Sequence, residues 1–213
     1  MRKLITAFLA LLITMGNVSV FGQGQGGGIT AELNGNLFVQ DDLLLTPTYL
    51  KARFFISDEL AVRFTTWVDF SSHQNVPEST LNFFSMAARP GIEYHVASEA
   101  GVFAAYVGAE IIFDYAQHSF DTSIGVPISG AWSISDIHNF QNRGFMSFGG
   151  GIVGGADVYF GGTVYVGTEL GLAYKYTNHA EVLYGTELFL GKSKSSQFYI
   201  DLSRVIRIGF MIK

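Results

Sequence analysis

The residues with the greatest chemical potential in this chain are charged side chains that recur on alternating positions. The acids are Glu32, Asp69, Glu93, Glu110, Asp114, Asp157, Glu169 and Asp201, and they share one parity with the bases Lys51, Arg53, Arg63, Arg89, Lys175 and Arg207. Carboxylates can act as general acids or bases, but carboxylates mixed with cations on one face have a simpler chemistry, which is mutual neutralisation. Other catalytic arrangements are missing from the sequence. His73, His118, His138 and His179 fall in polar stretches and His95 on the charged parity, and none forms HExxH or another metal-ligand spacing. His118 and Ser119 are adjacent, which on a strand sends them to opposite faces, and no GxSxG elbow exists. Gly149-Gly150-Gly151-Ile152-Val153-Gly154 matches GxGxxG formally, but a period-two pattern runs through it where a dinucleotide site needs a turn and a helix. The expectation is therefore a protein with no catalytic residue, no metal and no cofactor.

These charges need elements that hold them on one side, and the alternation supplies strands. In residues 29–40, Ile29, Ala31, Leu33, Gly35, Leu37 and Val39 alternate with Thr30, Glu32, Asn34, Asn36, Phe38 and Gln40. The apolar parity continues in seven further segments, including Leu60-Val62-Phe64-Thr66-Val68-Phe70 and Ile206-Ile208-Phe210-Ile212. Between them, short links at 57–59, 97–101 and 161–162 alternate with longer ones at 41–46, 71–82, 116–142 and 177–197. An up-and-down barrel with both termini at one end produces that alternation. Eight strands are expected, or ten, since 122–134 and 182–191 could each extend or add a strand. Pro90 lacks a donor for a closed sheet, and a bulge at Arg89-Pro90-Gly91 is expected to absorb it.

Composition indicates what the apolar parity faces. Charged residues make up 15% of the chain, against about 25% in ordinary soluble domains, while aromatics reach 15%. No stretch beyond the N-terminus is apolar enough for a spanning helix, so membrane residence would require a barrel. Arg2 and Lys3, the apolar run 4–15 and the small-residue site before Gln23 read as a cleavable signal peptide. The organisation expected is a signal peptide at 1–22, a linker at 23–28 and a barrel at 29–213. The formal charge of −5 leaves no electrostatic footprint for nucleic acid, and an exported chain without cysteine has no disulfides to hold it. Phe70, Phe84, Tyr115 and Tyr174 would form one aromatic girdle and Tyr94, Phe103 and Phe210 the other. Arg204 is the one charge on the apolar parity, placed to snorkel to headgroups.

Several stretches carry a resemblance to a known family: LKARFFISDELAVRF (50–64), RPGIEYHV (89–96), AAYVGAEIIF (104–113) and GGADVYFGGTVYVGTELGLAY (154–174). They resemble strand-turn-strand units of the small outer-membrane β-barrel domain family, the OmpX-like and OmpA-transmembrane-domain-like proteins. The resemblance covers most of residues 23–213. It implies an all-β, transmembrane antiparallel barrel in the outer membrane of a Gram-negative bacterium, with outer-membrane lipid, lipopolysaccharide and the barrel-insertion machinery as partners. The chain departs from the family at its end, Phe210-Met211-Ile212-Lys213, where an aromatic residue is common.

In that arrangement the charged parity lines a lumen filled by its own side chains. Recognition then falls to the external loops and an extracellular partner. Phe120, Trp132 and Phe140 in the third loop and Lys192 and Lys194 in the fourth are the candidate contacts. Two alternatives remain: a small conduit or lipid-modifying enzyme of the outer membrane, and a secreted lipocalin-like barrel with its apolar parity inward around a ligand.

Overall fold

The computed structural model describes residues 28–35, 47–76, 78–97, 102–123, 125–133, 143–160, 163–201 and 206–212. The expected signal segment, most of the linker, His138, Phe140 and Arg204 lie outside the described residues, as does the link at 41–46. Strands account for all the regular structure described: β1 (Ile29–Gly35), β2 (Pro47–Phe55), β3 (Leu60–Val76), β4 (Ser79–Ala97), β5 (Phe103–Thr122), β6 (Ile128–Ser129), β7 (Phe145–Phe160), β8 (Val164–His179), β9 (Val182–Tyr184), β10 (Glu187–Leu190), β11 (Ser193–Asp201) and β12 (Ile206–Ile212).

All pairings are antiparallel, and eight strands close a ring in the order β1, β2, β3, β4, β5, β7, β8, β12 and back to β1. Ile29 pairs with Phe54 on one side and with Ile212 on the other, so the first and last strands complete the wall. β11 continues this last wall position toward the far end, pairing with β8 from Ser193↔His179 to Asp201↔Gly171, while β12 takes over at Arg207↔Gly167. Six steps separate Asp201 from Arg207 where four separate Gly171 from Gly167. The difference is even, so both charged residues keep the same face.

The period-two pattern becomes an inside and an outside. Along β5, Ala104, Tyr106, Glu110, Ile112, Asp114, Ala116 and His118 are buried while Phe103, Val107 and Ile111 are exposed. The same division holds on the other strands. Arg53, Arg63, Glu93, Asp157 and Arg207 are fully buried, and Phe54, Phe64, Val68, Ile92, Phe148, Ile152 and Leu170 face outward with two-fifths or more of their surface open. A ring of eight strands encloses only enough room for side chains.

Strand ends depart from the expectation in one consistent way. The link expected at 71–82 is a tight turn through Glu78 (φ 70°), because β3 runs on to Val76 and β4 begins at Ser79. β5 likewise reaches Thr122 and β8 reaches His179, so His118 and His179 lie on strands with buried side chains, and His73 lies exposed on β3. On the outward face the apolar series ends at Phe70, Phe84 and Tyr115 and continues as Ser72, Asn82, Gln117 and Asp121, joined by Ser72–Asn82 and Asn82–Asp121 hydrogen bonds of 2.9 and 2.6 Å. Pairing persists where hydrophobic alternation stops. Loss of alternation therefore marks a change of surroundings and not the end of a strand.

Segments 122–134 and 182–191 contribute β6, β9 and β10, which attach above the ring through Phe120↔Ile128 and Ile128↔Tyr184. One further expectation is corrected. No bulge forms at Pro90. Ala88↔Phe113 and Gly91↔Glu110 belong to one register, and the β4–β5 pairing skips Arg89 and Pro90 without a shift. Omitting that bridge leaves the missing proline donor without consequence for the register.

Candidate functional site

The interior is layered. At the end carrying the short turns, Ala104, Tyr159, Tyr165 and Met211 pack together, with the two tyrosine rings 5.1 Å apart. This apolar layer seats the charges above it.

The central layer draws on each ring strand. Glu32 comes from β1, Lys51 and Arg53 from β2, Arg63 from β3, Glu93 from β4, Tyr106 and Glu110 from β5, Asp157 from β7, Glu169 from β8 and Arg207 from β12. Lys51 Nζ lies 2.9 Å from both Glu93 and Glu169, and 3.7 Å from Glu32. Arg53 Nε lies 2.7 Å from Glu93 and 3.0 Å from Glu32, and its Nη1 donates to Asp157 at 2.8 Å. Arg63 reaches Glu93 at 2.8 Å, Glu169 at 2.9 Å and Glu110 at 3.3 Å. Arg207 donates to Glu32 at 2.8 Å and also to Asp157. Tyr106 occupies the middle, its hydroxyl donating to Glu169 at 2.5 Å and its ring facing the guanidinium groups of Arg53 and Arg207 at 4.7 and 5.0 Å.

Pairs such as Lys51–Glu169 and Arg63–Glu169 join β2 and β3 to β8 across the lumen, so the layer closes it. The four cations face five carboxylates, Glu32, Glu93, Glu110, Asp157 and Glu169, and Glu110 also lies 3.8 Å from Arg89 in the next layer, so every buried charge has an opposite charge beside it, which is the arrangement that makes desolvation tolerable. Room for Tyr106 and Tyr165 comes from glycine. A Cβ at Gly155 would collide with the Tyr106 hydroxyl, and one at Gly209 would fall within the Tyr165 ring. The glycines at 149–154 that mimic a dinucleotide fingerprint lie within one continuous strand, β7.

Toward the far end a looser group follows. Arg89 donates to Asp201 at 2.7 Å, and Lys175 lies 3.5 Å from Asp114. Asp69 is inward and half-buried, and makes no ion pair among the described residues. Above this the crown begins. Ile128, Ala131 and Val182 form a small buried cluster with Phe120 and Leu190 packed on it, and Trp132 stacks on His118 with centroids 4.5 Å apart and meets Phe83 at a tilt with centroids 5.5 Å apart. Arg143 is 2% exposed and binds the two long links together, donating to the carbonyls of Ala180 and Gly191 and to Ser193 Oγ.

Of the candidate contacts, Phe120 and Trp132 are thus engaged within the crown and do not project from it. Polar neighbours such as Gln117, Ser119 and Asp121 made this segment look like a free loop, whereas Phe120 sits on a strand and faces the crown's own core. Lys192 and Lys194 are exposed, the latter outward on β11 opposite Asn178. Sequence reasoning missed Tyr106 and Tyr165, although both stand on the charged parity. It also missed Arg143, whose surrounding stretch has no period to read. One contact with nucleophile-and-base character was missed too: Ser195 Oγ lies 3.0 Å from His179 Nε2 across the β8–β11 pair. Burial and the cations Arg143 and Lys175 act on that imidazole.

No protein-family model matches the chain, and no curated protein matches it.

Proposed function

We propose that this chain is an integral outer-membrane β-barrel, delivered through the periplasm, with a filled lumen and a structural or surface-interaction role carried by its external crown. One observation carries the reading: the protein is inside out. Exposed Leu, Ile, Val and Phe encircle the ring while arginine, lysine and carboxylates fill it. An apolar exterior is stable where lipid replaces water, and a spanning strand sheet must close on itself to satisfy its backbone. The belt has a suitable height. On β5 the outward apolar series runs from Phe103 to Tyr115, about 40 Å along the strand and about 30 Å once tilted, against an apolar band of about 25 Å in such barrels.

The charged interior argues against a lipocalin-like barrel, whose cavity is apolar, and the ion pairs crossing the lumen argue against a passive conduit. The surface left for partners is the exterior of the crown, with Lys192 and Lys194 placed to meet lipopolysaccharide phosphates. Outer-membrane lipid and the barrel-insertion machinery are the remaining partners on this reading, with no nucleic acid. Refolding the chain from Gln23 onward tests it directly. It should stay in solution only with detergent or lipid and should show a heat-dependent gel shift; a monodisperse protein in plain buffer would contradict the assignment.

A second reading, a lipid-modifying enzyme, has the Ser195–His179 contact in its favour. A fluorophosphonate probe should leave Ser195 unlabelled if the barrel is not a hydrolase, and stoichiometric labelling lost in Ser195→Ala would favour the enzyme.

A further inference from the structure

Between the central ion pairs and the crown the lumen widens into a cavity of about 390 Å³. Its walls combine two kinds of surface. Tyr49, Trp67 and Tyr199 supply aromatic rings from β2, β3 and β11. Among them stand two opposite-charge pairs, Arg89 with Asp201 at 2.7 Å and Lys175 with Asp114 at 3.5 Å, with Arg89 over the Tyr49 ring at 5.0 Å and Lys175 over Tyr199 at 5.6 Å. Among the described residues Ser85 Oγ, on a residue 4% exposed, and the buried Tyr199 hydroxyl have no hydrogen-bond partner. Both residues line the cavity, so their hydroxyls are open to an occupant that brings polar atoms to it.

We propose that this cavity binds a neutral carbohydrate of one or two sugar rings. Two cations and two carboxylates cancel, so a charged ligand gains little net attraction. Each pair instead presents a donor and an acceptor side by side, the pattern that neighbouring hydroxyls on a sugar ring match. Ser85 and Tyr199 add single hydroxyls that can donate or accept. The aromatic faces of Tyr49, Trp67 and Tyr199 provide dispersion contact for the C–H face of the ring. A site of a few hundred Å³ with aromatic walls and a few convergent polar groups has the general form of a small-molecule pocket. The inference rests on the outer-membrane reading only for the direction of entry, from the crown side.

Trp67 reports on the site directly, because the chain has two tryptophans and Trp132→Phe leaves Trp67 alone. That variant, folded in detergent micelles, is titrated with glucose, galactose and lactose, and with glucose 6-phosphate as the charged comparison. At least one neutral sugar should change Trp67 emission saturably at millimolar concentration, with the phosphate at least tenfold weaker. Ser85→Phe, which fills the cavity, and Tyr199→Ala, which removes a wall, should each weaken the response tenfold or more while keeping the folded gel mobility. Absence of a saturable response to every neutral sugar in folded protein would show that the cavity holds water only and overturn the proposal. An equal response to glucose 6-phosphate, or full affinity in both variants, would also overturn it. A chain that proves soluble without detergent would sink the membrane reading instead, leaving this titration to be judged by itself.

Discussion

The Tyr106 hydroxyl donates to the Glu169 carboxylate, and that same carboxylate receives Lys51 from β2 and Arg63 from β3. One residue on β8 thus joins β5 and the opposite wall. Glu169→Gln should be among the most damaging single charge deletions in the lumen, beside Glu93→Gln, because each takes a shared counter-charge from the buried Lys51 and Arg63. Breaking a buried pair by removing one partner costs about 3–5 kcal/mol. Tyr106→Phe removes one hydrogen bond and keeps the ring, so it should cost about 1–3 kcal/mol. Urea unfolding in micelles checks the ranking, and a Glu169→Gln barrel as stable as the parent would refute the shared-partner role.

The glycine face is predicted to be sterically specific. Gly209→Val places a branched side chain where the Tyr165 ring lies, and overpacking of this kind costs about 1–3 kcal/mol. Pairing it with Tyr165→Ala should recover much of the folded fraction on a gel-shift assay. Gly191, which has open space around it, should accept valine without effect.

Much of this was legible in the sequence, and the reasons for success and failure are physical. The charged parity that includes Glu32, Arg53, Glu93 and Arg207 lies on the buried face, because side-chain direction alternates strictly along a strand, whatever the partners. Which charges meet was not legible. Lys51 and Glu169 are joined through ring closure, which no local spacing encodes. The upper strand ends were misread because alternation records a difference between two faces, and at Ser72, Asn82 and Gln117 both faces are polar. Trp132 stands in a stretch without period, so its place is not legible locally: it is set by His118 and Phe83 arriving from two other strands.

The crown should separate from the barrel in its response to mutation. Arg143→Ala removes three donated hydrogen bonds that join the two long links, without touching the lumen pairs. Protease nicking between residues 123 and 143 and near 185 should accelerate severalfold, while a protected core fragment and the folded gel mobility persist. A variant as protease-resistant as the parent would show that Arg143 does not hold the links together.

The lumen is predicted to be closed. Ion pairs cross it at the level of Tyr106, and the apolar layer of Tyr159, Tyr165 and Met211 lies beneath. Planar-bilayer recordings of the purified protein should show no stable large unitary conductance. A persistent open level in the parent protein would mean that this layer does not seal.

The central claim is that the outward parity meets lipid and the inward parity does not. The chain has no cysteine, so single cysteines along β5 at Val107, Ala109, Ile111 and Phe113, and at the inward Ile112, can each carry a spin label in vesicle-inserted protein. The outward four should be accessible to oxygen and shielded from a water-soluble nickel reagent, most strongly near Ile111, and the label at Ile112 should be shielded from both. In unfolding assays Ile111→Arg should then cost about 2–4 kcal/mol. Outward labels as open to the nickel reagent as labels in the crown would contradict the account, because the apolar belt would then face water.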